Sequence, residues 1–148
     1  MKDLLIINGP NLNLLGEREP GIYGNDTYDS ICAEIKAYAE ELGFESCECF
    51  QSNHEGEIID RLHAARLDKC AVVINAGAYT HYSYAIRDAI AAIKIPVVEV
   101  HISNINSRDA FREKSVIAPV CCGQICGFGK NSYLLGVKAV SDMISDLK

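Results

Sequence analysis

Residues 4–24 read Leu-Leu-Ile-Ile-Asn-Gly-Pro-Asn-Leu-Asn-Leu-Leu-Gly-Glu-Arg-Glu-Pro-Gly-Ile-Tyr-Gly, and their opening decides how the rest of the chain is read. Leu4 to Ile7 form an unbroken apolar run that ends in the turn residues Asn8-Gly9-Pro10-Asn11. That is the pattern of a strand buried on both faces, as in a parallel sheet. Gly16, Pro20, Gly21 and Gly24 then interrupt Glu17, Arg18, Glu19 and Tyr23, and neither helix nor strand periodicity survives them. A strand therefore delivers the chain to a long loop bearing an arginine, a tyrosine and two asparagines. Long loops in small domains are usually lids or binding loops. This one is expected to be functional and to close over a bound substrate.

Outward from this stretch the same unit recurs. Ile31, Ile35, Tyr38 and Leu42 predict a helix from near Thr27 to Gly43, and Phe44 to Phe50 a second strand. Ser52 and Glu55 have capping-box spacing ahead of a second helix marked by Ile58, Ile59, Leu62 and Ala65. Ala71-Val72-Val73-Ile74 is a third strand ending at Asn75-Ala76-Gly77. Thr80 is the expected cap of a third helix, with Ile86, Ala89, Ile90 and Ile93 inward. Lys94-Ile95-Pro96 closes that helix, because a residue before proline leaves the helical region. Val97 to His101 is a fourth strand, followed by a polar loop through Arg112. Val116 to Ile125 contains a fifth, with Pro119 at its beginning, and Tyr133, Val137, Val140, Ile144 and Leu147 mark a last helix. Alternation without hairpin signals means a parallel sheet with helices on both faces. Five strands predict an α/β, doubly wound, flavodoxin-like sheet of order 2-1-3-4-5. No repeat or linker divides it, so residues 1–148 are expected to form a single domain.

The chain has 148 residues, 49% of them apolar, enough for a core without metal or disulfides. A net charge of −6 disfavours a nucleic-acid partner, while a few arginines can still invert the field inside a cleft. Seven cysteines, no C-x-x-C pair and no apolar leader point to a reduced, cytoplasmic protein without membrane association, its thiols acting as small hydrophobes.

In such a sheet ligands sit beyond the carboxyl ends of the strands. That rim receives Asn8, Asn11, Arg18 and Tyr23 from the first unit, and Ser52, Asn53 and His54 from the second. Asn75, Gly77, Thr80 and His81 follow the third strand, and Glu99, His101, Ser103, Asn104, Arg108 and Arg112 the fourth. Named motifs fail one by one. Gly127-Phe-Gly129 lacks the third glycine of a dinucleotide fingerprint, and Gly129-Lys130-Asn131 lacks the first glycine and final hydroxyl of a phosphate loop, leaving tight strand-to-helix packing. No serine occupies a nucleophile elbow, no rim lysine offers a Schiff base, and His54, His81 and His101 lack metal-ligand spacing. Acid–base chemistry remains. Glu99 and His101 share one face of a strand, where a carboxylate favours the charged imidazole and fixes its tautomer; the same pair could serve as a structural ion pair. Arg18 and Tyr23 pair a guanidinium with a phenol, whose ordinary pKa near 10 is too high for a base unless a cation favours the phenolate.

Taken together, Asn8 to Gly16, Arg18-Glu19-Pro20, Tyr23-Gly24, Gln51-Ser52-Asn53, Asn75-Ala76-Gly77, Thr80-His81, Arg87-Asp88, Glu99 to Asn104 and Gly127-Phe-Gly129 stand in an order that resembles type II 3-dehydroquinate dehydratase over essentially the whole chain. The resemblance implies dehydration of 3-dehydroquinate to 3-dehydroshikimate without metal or cofactor, in a homo-oligomer, a dodecamer built from trimers. It serves either the shikimate pathway or quinate breakdown. Position by position, it implies Tyr23 as base beside Arg18, Asn11 holding a water against the developing enolate, and His101, oriented by Glu99, as acid. It further implies Asn75, Ile102 and Ser103 around the substrate carboxylate, Gly77 among the substrate-binding residues, His81 and Arg112 on ring hydroxyls, and Asp88 arriving from a neighbouring subunit. Asn106-Ser107 and Glu113-Lys114 depart from the family's usual residues, outside this set. A flavin site would want hydroxyls in the first loop, and a receiver domain would want acidic residues where Asn8 and Asn75 stand; neither pattern is met.

Overall fold

The computed structural model describes residues 2–17 and 26–144. Its sheet has the parallel order β2-β1-β3-β4-β5, as the alternation predicts. The strands are β1 (Asp3–Asn8), β2 (Ser46–Gln51), β3 (Ala71–Asn75), β4 (Val97–His101) and β5 (Gly123–Cys126). The main helices are α1 (Tyr28–Glu41), α2 (Glu55–Asp68), α3 (Tyr84–Ile93) and α5 (Asn131–Met143), with a short α4 (Ala110–Glu113) in the polar loop.

Successive side chains of a strand go to opposite faces, and the core divides accordingly. Leu4, Ile6, Val73, Val98 and Val100 pack with Ile31 and Ile35 of α1 and Tyr133, Val137 and Val140 of α5. Leu5, Ile7, Val72, Ile74 and Val97 meet Ile58 and Leu62 of α2 and Ile86, Ile90 and Ile93 of α3. Asn8 and Asn75, register partners at the ends of β1 and β3, continue the α5 face. The two strands are drawn together beyond their ends as well: the Gly9 N–H donates to the Asn75 carbonyl at 2.8 Å. A Cβ on Gly9 would sit 2.3 Å from the Ala76 carbonyl oxygen, so that approach requires glycine.

Three local expectations are corrected. Ser52 and Glu55 form no capping box: the Ser52 hydroxyl donates to Glu57 and accepts from the His54 N–H, while Glu55 takes the Ser83 hydroxyl at 2.5 Å. Ser83, not Thr80, caps α3 by accepting from the Ile86 N–H, and Thr80 lies in a 3-10 turn over Gly77–His81 with its hydroxyl buried and unpartnered among the described residues. Pro119 belongs to a 3-10 turn (Ala118–Val120) before β5, not to the strand. Thr27 does cap α1, through a reciprocal pair with Ser30. Helix α5 ends at Met143, with Ile144 as its cap; Leu147 lies outside the described residues.

Candidate active site

The turns after β1, β3 and β4 enclose a cavity of about 600 Å³. After β1, Asn11 adopts the left-handed conformation (φ 70°), which asparagine tolerates better than most residues. Its N–H donates to Asn53 Oδ1 at 3.0 Å, and Gln51 Nε2 donates to the same oxygen and to the Gly9 carbonyl. The segment after β2 thus buttresses the loop that presents Asn11.

After β3, Asn75 and Gly77 line the cavity, and the Gly77 N–H donates to Asn75 Oδ1 at 3.2 Å. His81 sits at the end of the following turn. Its Nδ1–H donates to the Lys114 carbonyl at 2.8 Å, leaving Nε2 as the nitrogen without a described partner.

At β4, Glu99 and His101 project on one face, as their spacing predicts. Glu99 is wholly buried and His101 is 6% exposed. Glu99 Oε2 lies 2.5 Å from His101 Nε2 and accepts from Gln124 Nε2, while Oε1 accepts from the Ser115 hydroxyl. A buried carboxylate is costly without such partners; here both oxygens have them. His101 lines the cavity while Glu99 stands behind it.

Beyond His101 the chain turns through Ile102 and Ser103, held by Gly127 and Gly129, whose N–H groups donate to the carbonyls of His101 and Ile102. This is the work of the Gly-Phe-Gly segment that no nucleotide motif explained. Arg108 Nη2 donates to Ser103 Oγ at 2.5 Å, which turns the serine proton away from the guanidinium. The N–H groups of Ile102 and Ser103 have no acceptor among the described residues. Arg112 completes the wall from α4.

Of the residues expected from sequence, Asn11, Asn75, Gly77, His81, His101, Ile102, Ser103 and Arg112 therefore meet around one cavity, with Glu99 behind. Asp88 is exposed on α3 and does not reach it. Arg18 and Tyr23 lie outside the described residues. The sequence places Arg108 on the rim without giving it a role, and leaves unnoticed the lining by Asp109 and the walls formed by Pro10, Leu12 and Ile105.

Two arginines against one aspartate give the cavity a basic wall inside an acidic chain. Behind it, burial and then the Glu99 charge push the Cys121 thiol up to about 12, and the same two causes raise Cys126. Both thiols stay protonated at neutral pH and behave as small hydrophobes; all seven cysteines are free. Among the described residues no three or more His, Cys, Asp or Glu side chains are grouped to hold a metal ion, and no helix is long and apolar enough to cross a membrane. The donors converge instead as for a small oxyanion, with an imidazole at its side.

The chain is similar to known proteins over nearly its whole length. The family model for Dehydroquinase class II matches residues 2–141. A 3-dehydroquinate dehydratase of Caldicellulosiruptor bescii is 59% identical over 145 residues, covering 97% of this chain and 99% of that one. The crystal structure of a type II dehydroquinase from Butyrivibrio crossotus superposes with a TM-score of 0.89 at 50% identity, covering 93% of this chain and 96% of the other. That of a type II dehydroquinase from Propionibacterium acnes gives 0.90 at 41% identity, covering 96% and 97%.

Proposed function

The chain belongs to the class II dehydroquinase family, and from that premise we propose how its residues dehydrate 3-dehydroquinate to 3-dehydroshikimate and water. The substrate carboxylate sits against the Asn75 amide, the N–H groups of Ile102 and Ser103, and the Ser103 hydroxyl, with Gly77 shaping the wall. His81 and Arg112 take ring hydroxyls. Tyr23, as phenolate beside Arg18, removes the C2 proton next to the ketone. Asn11 holds a water against the enolate oxygen, an electrostatic contribution made where charge develops. His101 then protonates the departing C1 hydroxyl through Nδ1, the nitrogen that Glu99 leaves over. The carboxylate keeps the ring in one orientation, with Nδ1 toward the cavity.

The observation that carries this reading is the buried Glu99–His101 contact opening onto a cavity lined by anion-binding donors. An ion pair kept only for structure would have no reason to present its imidazole there. We further propose that residues 1–148 act as one catalytic domain in the cytoplasm, and that the working form is a dodecamer built from trimers. In that form Asp88, exposed on α3, enters a neighbour's cavity. No metal, cofactor or imine takes part, since ligand spacing and a rim lysine are both lacking in the sequence.

The test is to mix metal-free protein with 3-dehydroquinate and follow the absorbance of the conjugated ketone. The reading predicts that it rises, unaffected by chelator, and that borohydride with substrate causes no inactivation. Folded protein that produces no enone would overturn it.

A further inference from the structure

We propose that Tyr133 is a positioning residue: by holding the Asn75 amide in one orientation, it makes Asn75 a pure hydrogen-bond donor toward the cavity and so fixes the preference of that end of the site for a carboxylate. The inference rests on the reading above in which Asn75 meets the substrate carboxylate.

In the sequence Tyr133 is one member of an apolar helical stripe. In the fold it is 1% exposed, and a buried phenol needs partners for its hydroxyl. It has them on the two strands it covers. The hydroxyl donates to Asn8 Oδ1 at 2.5 Å and accepts from Asn75 Nδ2 at 3.0 Å. The helix reaches that depth because Gly136 lets it lie close on the sheet: a Cβ there would meet Val100 and Val73 at 2.8 and 3.0 Å.

The polarity of this chain of bonds is set at its far end. A phenol has a single proton, and the Asn8 carbonyl takes it. Toward Asn75 the phenol oxygen is therefore an acceptor only. On the other side of Asn75, the Gly77 N–H occupies its carbonyl. Reversing the Asn75 amide would set its carbonyl against the phenol lone pairs and its NH₂ against the Gly77 N–H, making both contacts repulsive. Of the two amide N–H groups one is spent on Tyr133, and the other is what Asn75 can offer the cavity it lines. A reversed Asn75 would present a carbonyl to an anion. Tyr133 touches no substrate in this account; it acts through Asn75.

The experiment compares Tyr133→Phe, Asn75→Ala and the double variant by steady-state kinetics on 3-dehydroquinate. Circular dichroism confirms the fold of each. The expected result is that Asn75→Ala raises KM and that Tyr133→Phe raises KM roughly tenfold, about one hydrogen bond to an anion, with little change in kcat. The double variant is then no worse than Asn75→Ala. A wild-type KM in Tyr133→Phe, or penalties that multiply in the double variant, would overturn the positioning role while leaving Asn75 as a carboxylate ligand. A wild-type KM in Asn75→Ala would overturn that ligand role and the positioning role with it. If Tyr133→Phe does not fold, Asn8→Ala carries the same test with the ring in place, because the phenol proton is then no longer committed to Asn8. A KM increase that vanishes in the Asn75→Ala background supports the proposal, and an unchanged KM overturns it.

Discussion

Glu48 and Glu99 are both sheet glutamates facing a basic side chain, yet they are built in opposite ways. Glu48 lies on the edge strand β2, with its side chain 41% exposed. Arg61 grips both its oxygens, at 2.8 and 3.2 Å, with Lys69 at 3.3 Å and Asp68 on the far side of the guanidinium. Glu99 lies on the interior strand β4, wholly buried, with one imidazole and two neutral donors. Exposed pairs contribute little to stability and are screened by salt, whereas a buried carboxylate is no bargain for stability even when its partners are good. The difference teaches that the edge network is a modest brace for the fold, while the interior pair, costly as a brace, fits the chemistry proposed for it. The positions agree: Glu48 points at α2, and His101 opens on the cavity.

Glu99→Gln should separate the two roles most widely. It keeps the shape and should lower turnover by about 10²- to 10⁴-fold, the range of a general acid, while a thermal melt shifts by only a few degrees. Unimpaired turnover would break the comparison. A smaller effect is expected at the donors to Glu99. Gln124→Ala and Ser115→Ala each remove one hydrogen bond and should slow turnover by roughly 3- to 10-fold. In the Glu99→Gln background the same changes should have little further effect, measured by kcat in each double variant.

Smallest of all is Glu48→Gln, which should leave kinetics untouched and lower stability by about 0.2–1 kcal/mol in urea unfolding at neutral pH. The Arg61 hydrogen bonds hold the Glu48 carboxyl below the usual range. The folded pKa is thus lower than the unfolded one. The stabilisation is present above the ordinary glutamate value of about 4.3 and is lost as the pH falls through the lower folded value. Wild type and Glu48→Gln should therefore converge in acid and in high salt, and a stability difference that survives both would contradict a surface role.

The strand order and the rim that lines the cavity were legible because both follow from periodicity and from residues next to each other in the chain. So was the Glu99–His101 pair, since two residues apart on a strand share a face. What local reading missed are bonds made across the fold. Ser52 and Glu55 have the spacing of a capping box, but Glu57 and Ser83 claim them first. Ser83 displaces Thr80 as a cap because the chain spends a 3-10 turn after β3 before α3 begins. Tyr133 fits an apolar stripe by its ring, and nothing in the stripe reveals that its hydroxyl reaches Asn8 and Asn75, 125 and 58 residues away. Arg108 was visible as a rim cation, but its hold on Ser103 depends on the turn over Ile105–Ser107.

The account rests on His101 acting in the second half of the reaction, after the C2 proton has left. The direct measurement is His101→Ala incubated with 3-dehydroquinate in deuterated water, comparing deuterium entry at C2 with formation of the conjugated ketone. The predicted result is exchange near the wild-type rate while dehydration falls by about 10²- to 10⁴-fold. Exchange slowed as much as dehydration would contradict the account, because His101 would then be needed before the proton is removed.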